Sequence, residues 1–220
     1  MANVIYGLDA ERVRDNAERV REEIAGAAAL AGRDPRDVAL LAAVKYVPLQ
    51  ELGVLAEAGL TLLGENRAQE LEAKAGAYPG AFAWHFIGQL QSRKVKQILP
   101  HVELIHSVAS DSALAQLERH GTRETEVLVE VNVSGEASKA GIEPAALRDF
   151  IARCPVRVTG LMTMPPFAPD AEASRPAFAR LRELAAEHGL GRLSMGTSQD
   201  YAVAVEEGAT IVRLGSTLFA

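Results

Sequence analysis

Eight times along this chain a short apolar run ends in a polar or glycine-bearing motif, and a helical or mixed stretch leads on to the next run. The runs are VALLAAVKY (38–46), LTLLG (60–64), AFAWHFIG (81–88), VELIHSV (102–108), EVLVEVNVS (126–134), VRVTGLMTM (156–164), RLSMG (192–196) and TIVRLG (210–215). They are too short for typical helices and are apolar on both sides, which reads as strands buried on both faces. Strands that alternate with helical segments pair in parallel, so eight of them predict an α/β fold, a single (β/α)8 TIM barrel. An open doubly wound sheet is the alternative, and it would leave long polar edges. One domain over residues 1–220 is expected, since that length suffices for one barrel.

The clearest helices are residues 171–188 and 199–207, together with an N-terminal helix at about 8–31. In that helix Val13, Ala17, Val20, Ile24 and Ala28 recur at spacings of three and four and form one apolar face. No helix is predicted after the eighth run. The N-terminal helix is therefore a candidate to cover that part of the barrel wall.

Charge and cysteine content narrow the function classes. The net charge of −6 comes from 29 acidic and 23 basic residues spread along the chain. No basic block exists to neutralise a nucleic-acid backbone or an anionic membrane, so small soluble partners are favoured. Cys154 is the only cysteine, which excludes an intramolecular disulfide and a multi-cysteine metal cluster and fits a reducing compartment. No secretory leader pattern opens the sequence, and no apolar run approaches the roughly 18 residues of a membrane span. A cytoplasmic location is expected.

In such barrels ligand groups cluster where the strands end. Lys45 closes the first run, where an ammonium must find a partner or lose its proton. It reads either as a nucleophile toward carbonyls or as a side chain that snorkels to solvent beside an acidic neighbour. SMGTS (194–198) precedes a helix and offers backbone amides and hydroxyls suited to a phosphate, although Ser198 equally suits an ordinary helix N-cap. RLGST (213–217) ends the next run with a second glycine and two more hydroxyls, and loops after strands seven and eight form the recurrent phosphate cup of these barrels. Arg213 lies on the same side of its strand as Gly215, facing a ligand or an acidic partner such as Glu65 or Glu130. Together these groups describe a ligand with an aldehyde at one end and a phosphate at the other, which fits pyridoxal phosphate and sugar-phosphate aldolase substrates alike.

The sequence resembles the pyridoxal phosphate homeostasis protein family from about residue 38 to residue 219. The resemblance is carried by LLAAVKY around Lys45, GENRAQE (64–70), WHFIGQLQSRKVK (84–96), IHSV (105–108), VEVNVSGEASKAGI (129–142), GLMTM (160–164), SMGTSQD (194–200) and EEGATIVRLGS (206–216). It implies a barrel similar to the N-terminal domain of alanine racemase, without the racemase's second domain. It further implies pyridoxal 5'-phosphate held as an imine on Lys45, with Ser194, Gly196, Ser198, Gly215 and Ser216 at the phosphate. Arg213 would face the pyridine nitrogen, and Asn66 and Met195 would line the ring or phosphate. Thr197 and Ser216 depart from the methionine and threonine common in the family, and both keep the loops small or hydroxyl-bearing. His85, Gln89, Ser92, Lys94, Asn132 and Lys139 carry either structural or partner-binding roles.

By the same resemblance members serve as cofactor reservoirs or carriers, with PLP-dependent apoenzymes as conceivable partners and a monomer as the expected state. The chemistry agrees with binding that lacks a catalytic residue. The ring is a strong electron sink only when an acid keeps its nitrogen protonated, and a guanidinium cannot accept that proton. Racemisation would need a second base, and none of Tyr6, Tyr46, Tyr78 and Tyr201 has a motif context marking it as one. A racemase or lyase acting on a small amino acid is the alternative.

Overall fold

A computed structural model describes residues 4–135 and 140–220. Its eight strands are β1 (Ala39–Ala43), β2 (Leu62–Glu65), β3 (Ala83–Phe86), β4 (Leu104–Val108), β5 (Glu126–Glu130), β6 (Arg157–Met162), β7 (Arg192–Ser194) and β8 (Ile211–Leu214). They close in sequence order into a barrel, with β1 pairing parallel to both β2 and β8. The open-sheet alternative is thereby excluded. The strands are shorter than the apolar runs, because the ends of each run leave the ladder and turn into the loops that carry the polar motifs.

Around the barrel lie α1 (Ala10–Leu30), α2 (Leu52–Glu57), α3 (Ala68–Ala77), α4 (Val95–Ile98), α5 (Asp111–His120), α6 (Leu147–Arg153), α7 (Arg175–Glu187), α8 (Tyr201–Glu206) and α9 (Ser216–Phe219). The predicted apolar face of α1 is buried in full at Val13, Ala17, Val20, Ile24 and Ala28. Asp9 caps that helix, its carboxylate accepting from the Arg12 amide at 2.8 Å. The short α9 was not expected from the sequence. The amide of Asn16 on α1 donates to the carbonyls of Leu218 and Ala220, and the Tyr201 hydroxyl donates to Glu23. α1 thus packs on α8 and α9 and closes the wall beside β8.

The main core fills the space between sheet and helices, while Leu41, Leu104, Leu128, Met162 and Ile211 form a smaller cluster inside the barrel. Inside the barrel with them stand buried polar side chains, among them His106, Ser194 and Arg213. Cys154, half-buried at the end of α6, has its thiol pushed up by burial. Among the described residues no helix is long and apolar enough to cross a membrane, and no group of metal-ligating side chains is assembled.

Candidate functional site at the barrel mouth

Lys45 stands two residues beyond β1, at the C-terminal end of the barrel, where it lines two adjoining lobes of a cavity. One lobe, of about 600 Å³, also meets Asn66, Gly88, Gln89, Ser107, Glu130 and Met162. The other, of about 490 Å³, meets Tyr46, Pro165, Phe167, Ser198, Gly215 and Ser216. Ala43, Lys45, Met164, Thr197 and Arg213 border both. Among the described residues Lys45 forms no ion pair, and its ammonium lies 4.9 Å from the centre of the Tyr46 ring. The snorkelling reading, which required an acidic neighbour, has no such partner among these residues.

The lysine's backbone is held from behind. Lys74 on α3 is 1 % exposed and sends its ammonium to the Val44 carbonyl at 2.9 Å and to the Glu65 carboxylate at 2.5 Å. The other Glu65 oxygen accepts from the amides of Asn66 and Arg67. This buried pair joins the ends of β1 and β2, and so sets where Lys45 and Asn66 emerge. It was missed in the sequence, although a glutamate ending an apolar strand and a lysine three residues after the core residue Leu71 were visible signs. Gly88 packs against the same corner, where a Cβ would lie 2.2 Å from the Asn66 carbonyl oxygen.

On the opposite side of the mouth the loops after β7 and β8 converge. Ser198 does not cap a helix: α8 starts at Tyr201, and the Ser198 hydroxyl instead accepts from the amides of Gly215 and Thr217, each at 3.4 Å. Those bonds are long and near the limit of useful geometry. The amides of Ser198, Gln199 and Ser216 make no hydrogen bond among the described residues. Asp200 fixes the first loop by accepting from the Thr197 amide and hydroxyl and from the Ser174 hydroxyl. Gly196, at φ +92°, permits the turn, since a Cβ there would meet the Ala204 Cβ at 2.6 Å.

Arg213 reaches the cavity from inside the barrel. Its Nη1 donates to the Ser194 carbonyl at 2.9 Å and hydroxyl at 2.6 Å, and Nη2 donates to the Thr163 carbonyl at 3.0 Å. Neither acid named as its partner in the sequence forms an ion pair with it: Glu65 binds Lys74, and Glu130 acts only at longer range. Burial pulls the guanidinium down to about 10, against Glu130 and Asp200, so it stays charged at neutral pH. Burial likewise raises Glu130, an effect that Arg213 opposes.

Of the predicted site residues, Lys45, Asn66, Ser198, Arg213, Gly215 and Ser216 are brought together around this cavity. Ser194, Met195 and Gly196 sit behind its surface. The Ser194 hydroxyl is occupied by Arg213 and His106, Met195 is fully buried in the main core, and the Gly196 carbonyl accepts from the Arg213 amide. Gln89 and Thr197 line the cavity as well, Lys94 bonds to Gln97, and Asn132 accepts from Ser134 and Gly135. Lys139 lies outside the described residues.

No protein-family model matches the chain. The barrel fold is shared with alanine racemase from Corynebacterium glutamicum, at a TM-score of 0.69 over 99 % of this chain and 63 % of that one. At 18 % identity that likeness is one of fold alone. The pyridoxal phosphate homeostasis protein of Aquifex aeolicus is 41 % identical over 219 residues, covering 93 % of this chain and 96 % of the relative. PipY from Synechococcus elongatus, solved with PLP bound, is 33 % identical with a TM-score of 0.75, covering 90 % of this chain and 100 % of that chain. The chain belongs to the pyridoxal phosphate homeostasis protein family.

Proposed function

We propose that this protein binds pyridoxal 5'-phosphate at the barrel mouth and keeps it in custody for other proteins, without turnover of its own. The observation that carries this reading is Lys45: an amine in a cavity, without an ion-pair partner among the described residues, facing a cup of open backbone amides. The residues present fit the cofactor. Ser198, Gln199 and Ser216 offer amide donors to a phosphate, and the weakly engaged Ser198 hydroxyl adds another. When bound there, the cofactor supplies an aldehyde carbon that condenses with the Lys45 amine with loss of water.

Each remaining side chain favours holding over reacting. Arg213 is a fixed cation that would donate a hydrogen bond to a ring nitrogen without protonating it. Asn66 and Gln89 border one of the two lobes that Lys45 lines, and Tyr46 borders the other, its ring stacked under the Lys45 ammonium. The Tyr201 hydroxyl, one candidate for a second base, is turned to Glu23 on α1, away from the mouth. Custody as a monomer in the cytoplasm, with PLP-dependent apoenzymes as recipients, is the setting this reading implies.

The test is direct. Purified protein mixed with PLP and reduced with borohydride should carry one pyridoxyl adduct, placed on Lys45 by peptide mass spectrometry, and Lys45→Ala should carry none there. A colourless wild type without an adduct would overturn the reading. Exchange of an amino acid's α-proton at enzyme-like rates would overturn custody in favour of a racemase or lyase.

A further inference from the structure

Behind Arg213 a file of polar side chains runs through the barrel. Arg213 Nη1 meets the Ser194 hydroxyl at 2.6 Å, that hydroxyl meets His106 Nδ1 at 2.8 Å, and His106 Nε2 meets His85 Nδ1 at 2.9 Å. His106 and Ser194 are fully buried. His85 is 8 % exposed and lines a cavity of about 390 Å³ at the opposite end of the barrel, beside the strand beginnings Ala39, Leu104, Glu126, Arg192 and Ile211. The file therefore joins the floor of the barrel to its mouth.

Chemistry allows only one direction for the hydrogens. Arg213 can only donate, so the Ser194 oxygen accepts from it. The single Ser194 hydrogen then needs an acceptor, and His106 Nδ1 is the one within reach. His106 must therefore carry its proton on Nε2 and donate to His85 Nδ1, which leaves the His85 proton on Nε2, toward the floor cavity. The reverse order would bury the Ser194 hydrogen without a partner. Both rings must be neutral for the file to work. Burial, and after it His85, Arg213 and Arg192, holds His106 well below its ordinary value. Burial and then Arg192 bring His85 to about 4, with Glu103, Glu126 and Asp37 the acids that border its cavity.

We propose that Ser194, His106 and His85 are positioning residues, a one-directional hydrogen-bond chain that locks Arg213 as a donor toward the barrel mouth. With Nη1 spent on Ser194 and one Nη2 hydrogen on Thr163, the hydrogens of Nε and the second of Nη2 remain for a ligand. The role in ligand binding rests on the cofactor reading above. The direction of the chain does not.

Long-range ¹H–¹⁵N spectra of the unliganded wild type test the direction, with the histidine signals assigned from single substitutions. His85 and His106 should both be neutral, with the proton on Nε2, from pH 6 to 8. A proton on His106 Nδ1, or a charged His106 at pH 6, overturns the chain. The ligand role is read from the visible spectrum and release rate of bound PLP. His106→Leu should shift the absorption band and release PLP about fivefold faster, and His106→Asn, which keeps an acceptor for Ser194, should restore the wild-type band. Unchanged band and release in a folded His106→Leu overturn the positioning role. A wild type that fixes no PLP on Lys45 sinks the cofactor reading and that role with it. A wrong tautomer with Lys45 labelled normally sinks the chain alone.

Discussion

Lys45 and Lys74 meet the same stretch of backbone from opposite sides, and they are treated in opposite ways. Lys74 is sealed behind the barrel wall, paired with Glu65 and bonded to the Val44 carbonyl. Lys45, one residue further along, opens into the mouth with no ion pair among the described residues. The same division runs through the molecule. Interior polar groups, the Lys74–Glu65 pair and the His85–His106 pair, satisfy one another, while the mouth leaves an amine and several amides open. Loss of a group of the first kind should show in folding, and for the His106 chain also in ligand release through Arg213, whereas loss of a group of the second kind should show in binding alone.

The sharpest break between the two is a pair of lysine substitutions. Lys74→Ala leaves the Glu65 carboxylate buried without its counter-charge and should cost about 3–5 kcal/mol in urea unfolding. Lys74→Met combined with Glu65→Gln should recover most of that loss, because the glutamine oxygen still accepts from the Asn66 and Arg67 amides. Lys45→Ala should change stability by less than about 1 kcal/mol while abolishing the borohydride adduct. Equal destabilisation by the two alanines would dissolve the contrast.

Acid should act on the interior next. His85 ionises near 4 in the folded chain against an ordinary 6.5. As pH falls through that interval the unfolded chain takes up the proton first, so protons favour unfolding. The contribution of a neutral His85 is thus complete above about pH 6.5 and lost by about pH 4, a span of up to about 3 kcal/mol. His85→Gln should lessen the slope of the urea midpoint across this window, leaving the part that His106, also held low by burial, contributes. An unaltered slope would show that His85 does not carry the acid sensitivity.

How much of this was legible in the sequence follows the same division. Eight apolar runs predicted eight strands and their closed order, because burial on both faces leaves a pattern that local composition preserves. Lys45, Ser198 and Arg213 could be placed at the mouth because each lies near or just beyond the end of a run. The partners of Arg213 could not be read: Glu65 and Glu130 were named, while the atoms that hold it are a serine and two backbone carbonyls, which have no sequence signature. Ser194 illustrates the limit. It lies in a motif suited to phosphate, yet its hydroxyl points inward, because a strand's side chains alternate faces and Ser194 still belongs to β7 while Ser198 belongs to the loop.

That distinction supplies the smallest and most specific test. Ser198 bridges the two loops only through bonds of 3.4 Å, so its hydroxyl contributes little to the unliganded fold and is free to turn to a phosphate. Ser216 is exposed at the start of α9. Replacing both with alanine should weaken PLP binding roughly tenfold, the loss of one or two charge-assisted hydrogen bonds, while the unfolding midpoint stays in place. Equilibrium dialysis and urea unfolding on the same preparation separate the two effects. Undiminished PLP affinity would move the phosphate away from the loops after β7 and β8, and a lowered midpoint would place Ser198 with the interior groups that hold the barrel together.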